Sequence, residues 1–194
     1  MWGTNSTLES KEVIVELKFF DLYSSWTHTY RLENPAVLAP NSSTEIITSL
    51  SVFCPPQNTV EQLPDSDPLP ANSFSVVVSA RFLDVTTPAT IIARHSDWPQ
   101  PYRMIDLPLK QDVHVSSLGH GDEATIVRVS ASSKPVKGLV LSVDSQYQDE
   151  DEVKWSDNAL DLVPGDEQIV IAKGLKTAKL NIQYLGGNIE PMSI

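Results

Sequence analysis

Period-two alternation along most of the chain, a scarcity of helical periodicity and a length suited to two cores predict an all-β protein of two tandem antiparallel β-sandwiches. The 194 residues exceed the usual single-domain mode of about 100–150 and match two sandwiches of about 100 residues each. Hydrophobic residues make up 41% and charged residues 20%, a balance that supports packed cores although 14 prolines interrupt the chain.

Val13, Val15, Leu17 and Phe19 alternate with Ile14, Glu16 and Lys18, the pattern of a half-buried strand. Trp26, His28, Tyr30 and Leu32 against Thr27, Thr29 and Arg31 predict a second strand, and Ile46 to Leu50, after the Ala39-Pro40-Asn41 turn, a third. Between Cys54 and Pro70 the chain carries Pro55, Pro56, Pro64, Pro68 and Pro70 with few apolar residues, which predicts a long loop rather than a central strand. Phe74 to Leu83 and Thr90 to His95 complete the first unit. Asp97-Trp98-Pro99-Gln100-Pro101-Tyr102 and Leu107-Pro108 then read as a stiff, extended connector, because proline donates no ladder hydrogen bond.

The expected division is a sandwich over 1–97, a connector over 98–107, a second sandwich over 108–187 and a tail over 188–194, with Gly186-Gly187-Asn188 starting the tail. Strands in the second sandwich are expected at Val113 to Ser117, Thr125 to Ala131, Gly138 to Val143, Val153 to Trp155, Gln168 to Ala172 and Lys179 to Leu185, with a turn at Gly119-His120-Gly121-Asp122. No phosphate-binding glycine loop, strand–helix alternation or internal repeat is present in the sequence, which argues against nucleotide-binding and solenoid architectures.

A formal net charge of −11 sets the chain against phosphate backbones and anionic membrane surfaces, so neither nucleic acid nor membrane is an expected partner. The sequence contains no run of about 18 apolar residues, and Met1 to Asn5 lacks the basic start and apolar stretch of a secretory signal. The expected location is therefore intracellular, provided that no further residues precede Met1. The single cysteine, Cys54, excludes an internal disulfide framework and a multi-cysteine zinc site. Asn5-Ser6-Thr7 and Asn41-Ser42-Ser43 match the glycosylation acceptor pattern, which matters only on a secretory route.

His28, His95, His114 and His120 lie too far apart to form a short-spaced metal pair, and His28 is expected to pack beside Trp26 and Tyr30. Four adjacent acids, Asp149 to Glu152, lack the spaced ligands and the glycine of a calcium loop and read as a solvated hairpin. Trp98 and Tyr102 admit two readings: a sugar-stacking platform, or aromatics that anchor the connector to the adjoining core. No GxSxG elbow is present and Cys54 has no protease context, so no residue is assigned a catalytic, cofactor or metal role and no cofactor is expected.

Lys134-Pro135-Val136-Lys137-Gly138-Leu139-Val140-Leu141, followed by Trp155-Ser156-Asp157-Asn158-Ala159-Leu160-Asp161-Leu162-Val163-Pro164-Gly165-Asp166, resembles the closing immunoglobulin-like domain of family 2 β-mannosidases. Asp157 and Asn158 suit side-chain-to-backbone turn bonds, Leu160 and Leu162 share a face, and Pro164-Gly165 suits a type II turn. Trp2 to Thr7 and Arg94 to Pro101 resemble the start and finish of the sandwich that precedes that domain in fungal, intracellular-type members. The resemblance implies two immunoglobulin-like sandwiches without the (β/α)8 barrel that carries the family's two catalytic glutamates. It also implies that barrel as a partner in cis, and mannosides as ligands of the parent enzyme. A stand-alone carbohydrate-binding or protein-interaction module is the competing expectation.

Overall fold

The computed structural model describes residues 1–50, 75–99, 113–121, 124–144, 146, 148–149, 152–176 and 179–193, with the backbone alone at 120 and 188–193. The regular elements among them are all strands, and they belong to two compact units, Met1–Ile105 and Asp106–Ile194. The proline-rich stretch from Cys54 to Pro70 and the connector beyond Pro99 lie outside the described residues.

The first unit contains β1 (Trp2–Asn5), β2 (Lys11–Asp21), β3 (Thr27–Arg31), β4 (Ala36–Leu38), β5 (Ser42–Glu45), β6 (Val76–Asp84) and β7 (Ile91–Asp97). Its larger sheet runs β3-β2-β6-β7, with β4 also beside β2, and its smaller sheet pairs β1 with β5. The alternation at Val13, Val15, Leu17 and Phe19 places these side chains on one face of β2, where they form a core with Leu38 and Ile47. Gly3 sits at that core's edge. A Cβ there would come within 2.8–2.9 Å of the side-chain ends of Ile46, Leu38 and Phe82, so a larger residue would require these ends to shift.

The third strand expected over Ile46 to Leu50 falls instead at Ser42–Glu45. The reason is pairing: polar Ser42 to Glu45 finds backbone partners on β1, while the Ile46 and Ile47 amides both donate to the Met1 carbonyl, at 3.0 and 3.2 Å. Ile47 is then free to join the core.

The second unit contains β8 (Val113–His120), β9 (Ala124–Ala131), β10 (Val136–Val143), β11 (Lys154–Trp155), β12 (Leu160–Leu162), β13 (Gln168–Lys173), β14 (Lys179–Tyr184) and β15 (Gly187–Ser193). They form two four-stranded sheets, β12-β10-β14-β15 and β11-β13-β9-β8. Val115, Val127, Val129, Leu139, Leu141, Leu162, Val170 and Ile182 lie in the core of this unit. The antiparallel strands of the two units make the chain all-β, as its alternation predicts.

β15 corrects the expectation of a tail over 188–194. Gly186, at φ 93°, turns the chain so that Tyr184 pairs with Gly187, and the pairing runs on to Lys179 with Ser193. Pro191 is tolerated because β15 ends the sheet order and its register shifts between Leu180 and Ile182. Gly-Gly-Asn is here a hairpin signal.

Candidate functional site

The stretch Trp155 to Asp166 binds the two sheets of the second unit to each other. Ser156 engages β13 twice: its amide donates to the Ile171 carbonyl and its hydroxyl accepts from the Ile171 amide, both at 2.8 Å. Two residues on, the Asn158 side chain does the same to β10 in the opposite sheet, donating to the Leu141 carbonyl at 2.8 Å and accepting from its amide at 2.9 Å. Asn158 thus supplies a side-chain bridge where β10 would otherwise lack a partner. Ala159 takes φ 59° and its amide bonds to the Asn158 carboxamide at 3.1 Å.

Downstream, the Asp161 carboxylate accepts from the Gly138 amide at 2.9 Å and from the Lys137 ammonium at 3.2 Å. Gly138, at φ 61°, lies where the β10–β12 register shifts, so Asp161 secures a bulge. The Val163 carbonyl accepts from the Asp166 amide at 3.1 Å across Pro164 and Gly165, with Gly165 at φ 74° as a type II turn requires. The signature is a set of backbone clamps. Trp155 is half-buried and packs against both hydrophobic clusters of the unit, rather than being enclosed by one.

Asn5 is buried, with 5% of its surface exposed, and its side chain is fully engaged: it donates to the Glu9 and Leu38 carbonyls and accepts from the Thr7 amide and hydroxyl. Its amide nitrogen therefore serves the β1 end, whereas Asn41 lies exposed in a turn at φ 47°. Trp98 is 3% exposed and offers no platform for a sugar ring. His28 stacks on Trp26 at a centroid distance of 6.2 Å and tilts against Phe19 at 6.0 Å. His95 and His114 are exposed on separate strands, and the side chain of His120 lies outside the description, as does Cys54.

Within the acidic run, Glu152 pairs with Lys176 at 2.7 Å, and that ammonium holds its carboxyl below the usual carboxylate range. Gln148 donates to the Gly174 carbonyl at 2.7 Å and accepts from the Lys176 amide at 2.8 Å, so the run's neighbourhood fastens the loop after β13. Among the described residues, no group of three or more His, Cys, Asp or Glu side chains gathers as a metal site. The first unit has a largely apolar cleft of about 180 Å³ between Trp2 on one side and Phe82, Ala93 and His95 on the other.

Two sheet faces depart from ordinary polarity. In the first unit, Arg31, Glu16, Arg81 and Arg94 align across β3, β2, β6 and β7, and Arg81 forms a buried ion pair with Glu16. In the second, Ile126, Ile169 and Ile171 stand exposed on the outer face of β9 and β13. This aliphatic face went unread in the sequence. Its signal is Ile169-Val170-Ile171-Ala172, an unbroken apolar run where a half-buried strand alternates.

Residues 1–103 match the Mannosidase Ig/CBM-like domain family. Over 96% of its length the chain is 29% identical to β-mannosidase B of Aspergillus terreus, and over 50% it is 37% identical to that of Aspergillus flavus. It spans about 19% of the Aspergillus terreus protein, so it corresponds to the immunoglobulin-like part of larger β-mannosidases. The fold also superimposes on an exo-chitosanase from Amycolatopsis orientalis, with TM-score 0.63, 14% identity and coverage of 100% of this chain and 25% of that one. A β-D-mannosidase from Dictyoglomus thermophilum gives TM-score 0.59 and 13% identity over 96% of this chain and 20% of that one. The chain belongs to the Mannosidase Ig/CBM-like domain family.

Proposed function

We propose that this chain is a non-catalytic scaffold of a β-mannosidase, held in cis beside the barrel that removes terminal β-mannose. The observation that carries the proposal is the alignment of 96% of this chain with only 19% of the length of a β-mannosidase B. The chemistry of the signature supports it, because Ser156 and Asn158 spend their side-chain polar atoms on backbone groups and Asp161 divides its carboxylate between the Gly138 amide and Lys137. Retaining glycoside hydrolysis needs two carboxyl groups about 5–5.5 Å apart, one kept protonated, in a pocket that holds the sugar. Here Asp161 is bound to Gly138 and Lys137, and Glu152 is held ionised by Lys176.

Assay of the purified chain with a chromogenic aryl β-mannoside tests the scaffold role, with no turnover above buffer expected. Turnover that disappears on Asp161→Asn or Glu167→Gln would overturn it. A second function, sugar binding, has one observation in its favour: Trp2 is 62% exposed at the mouth of the Phe82–His95 cleft. Saturable quenching of tryptophan emission by mannose or β-mannobiose, lost in Trp2→Ala, would establish that function.

A further inference from the structure

We infer that the outer face of the β11-β13-β9-β8 sheet, centred on Ile126, Ile169 and Ile171, is where this chain docks onto the remainder of a longer polypeptide. The inference rests on the scaffold role proposed above and adds the surface that performs it. Ile171 and Ile126 are direct cross-strand partners, and Ile169 follows two residues along the same face of β13. Their exposures are 38%, 39% and 49%, so a contiguous aliphatic strip faces outward. On β13 the inward set is Gln168, Val170 and Ala172, all buried, so the strand carries apolar side chains on both faces. Strands of that kind belong to sheets covered on both sides.

The charges at the border of the strip indicate what covers it. Lys154 and Lys173 are directly opposed across β11 and β13, both exposed, and like charges in that position repel. A carboxylate on the covering surface would relieve the repulsion. Arg128, opposite Ile169, is paired with Glu167 at 3.5 Å, leaving the lysine end as the cationic edge of the strip. A second copy of the chain is the competing occupant, and the mass of the isolated chain in sedimentation distinguishes it. The remaining polypeptide is available in quantity, since the matched region amounts to 19% of the Aspergillus terreus β-mannosidase B. The occupant is therefore an apolar surface of that remainder with at least one carboxylate beside it.

The test compares the 194-residue chain alone with the Aspergillus terreus β-mannosidase B in which this chain replaces the matching region. The graft with the natural face should melt in one transition, and Ile169→Lys with Ile171→Glu should split off a separate transition at the midpoint of the isolated chain. The same pair of substitutions in the isolated chain should move its midpoint by less than about 2 °C, because both side chains are exposed there. Lys173→Glu should lower the graft's midpoint, and Lys173→Arg should leave it unchanged. A graft indifferent to all of these substitutions overturns the docking face and leaves the scaffold role intact. A natural-faced graft that already melts in two transitions overturns both. Doubling of the isolated chain's mass in sedimentation, abolished by the isoleucine substitutions, would overturn the inference by assigning the face to a second copy.

Discussion

The outer faces of the two main sheets are filled in opposite ways. In the first unit, β6 turns Val77, Ser79, Arg81 and Leu83 to one side, and all four are buried, the arginine with its guanidinium on Glu16. In the second, β13 turns Ile169 and Ile171 outward and both are exposed. Period-two alternation is the same in both strands. What differs is the environment of the face: one sheet buries an arginine there and the other exposes isoleucines, a difference that the docking inferred above would account for. Polarity of the alternating set thus identifies a face but not its environment.

The largest effect that would break this comparison comes from the buried ion pair. Arg81→Ala takes the guanidinium from the part-buried Glu16 carboxylate and is expected to lower stability by about 3 kcal/mol in chemical denaturation. Arg81→Met combined with Glu16→Leu should restore most of the loss, since a well-packed apolar pair of similar volume avoids desolvating two charges. If the double variant were as unstable as the single, the pair would be an indispensable feature of the face rather than one of several ways to fill it.

Next in size is the cross-sheet clamp of the second unit. Asn158→Ala strands the Leu141 amide and carbonyl, both part-buried, and should cost about 2–3 kcal/mol. Ser156→Ala deletes one exposed bond, to the Ile171 amide of β13, and should cost about 1 kcal/mol. Denaturant midpoints of the two variants measure the ratio. Equal losses would mean that burial of the backbone groups, which separates the two positions, is not what sets the cost.

Much of the fold was legible because alternation is local. Val13 to Phe19 on β2 and the strands at Thr125 to Ala131 and Gln168 to Ala172 follow directly from it, and the glycine and proline turns follow from φ requirements. Pairing is not local. Ser42 to Glu45 has weak strand propensity and forms β5 only through β1, and β15 forms only through β14, a pairing that Gly186-Gly187-Asn188 does not specify by itself. At the signature, the turn bonds of Asn158 were predictable from its side chain, whereas the bridge to Leu141 needs the other sheet in place. The buried Asn5 shows the same limit: its acceptor pattern is visible in sequence, and its four hydrogen bonds are not.

The smallest expected effect is also the one that separates the two units by mechanism. Each has an exposed carboxyl held below its usual range, but for different reasons. Asp84, the last residue of β6, is lowered first by the Thr86 hydroxyl and then by the Thr87 and Thr86 amides, with the charge of Lys11 contributing least. Glu152 is lowered by the Lys176 ammonium, through its hydrogen bond and its charge. Both groups have a folded value depressed below the unfolded one, so each adds stability above the ordinary carboxylate range and loses it as pH falls through the folded value. Salt distinguishes them. Raising ionic strength from about 0.1 M to about 1 M shortens the screening length from about 10 Å to about 3 Å, which weakens a charge-based shift and leaves neutral donors largely intact. Carboxyl carbon shifts followed from neutral to acidic pH should show the Glu152 midpoint rising toward its usual value in high salt while the Asp84 midpoint holds. Lys176→Met should raise the Glu152 midpoint at both salt concentrations, and Thr86→Val should raise that of Asp84. A Glu152 midpoint insensitive to salt and to Lys176→Met would show that the ion pair is not what lowers the Glu152 carboxyl.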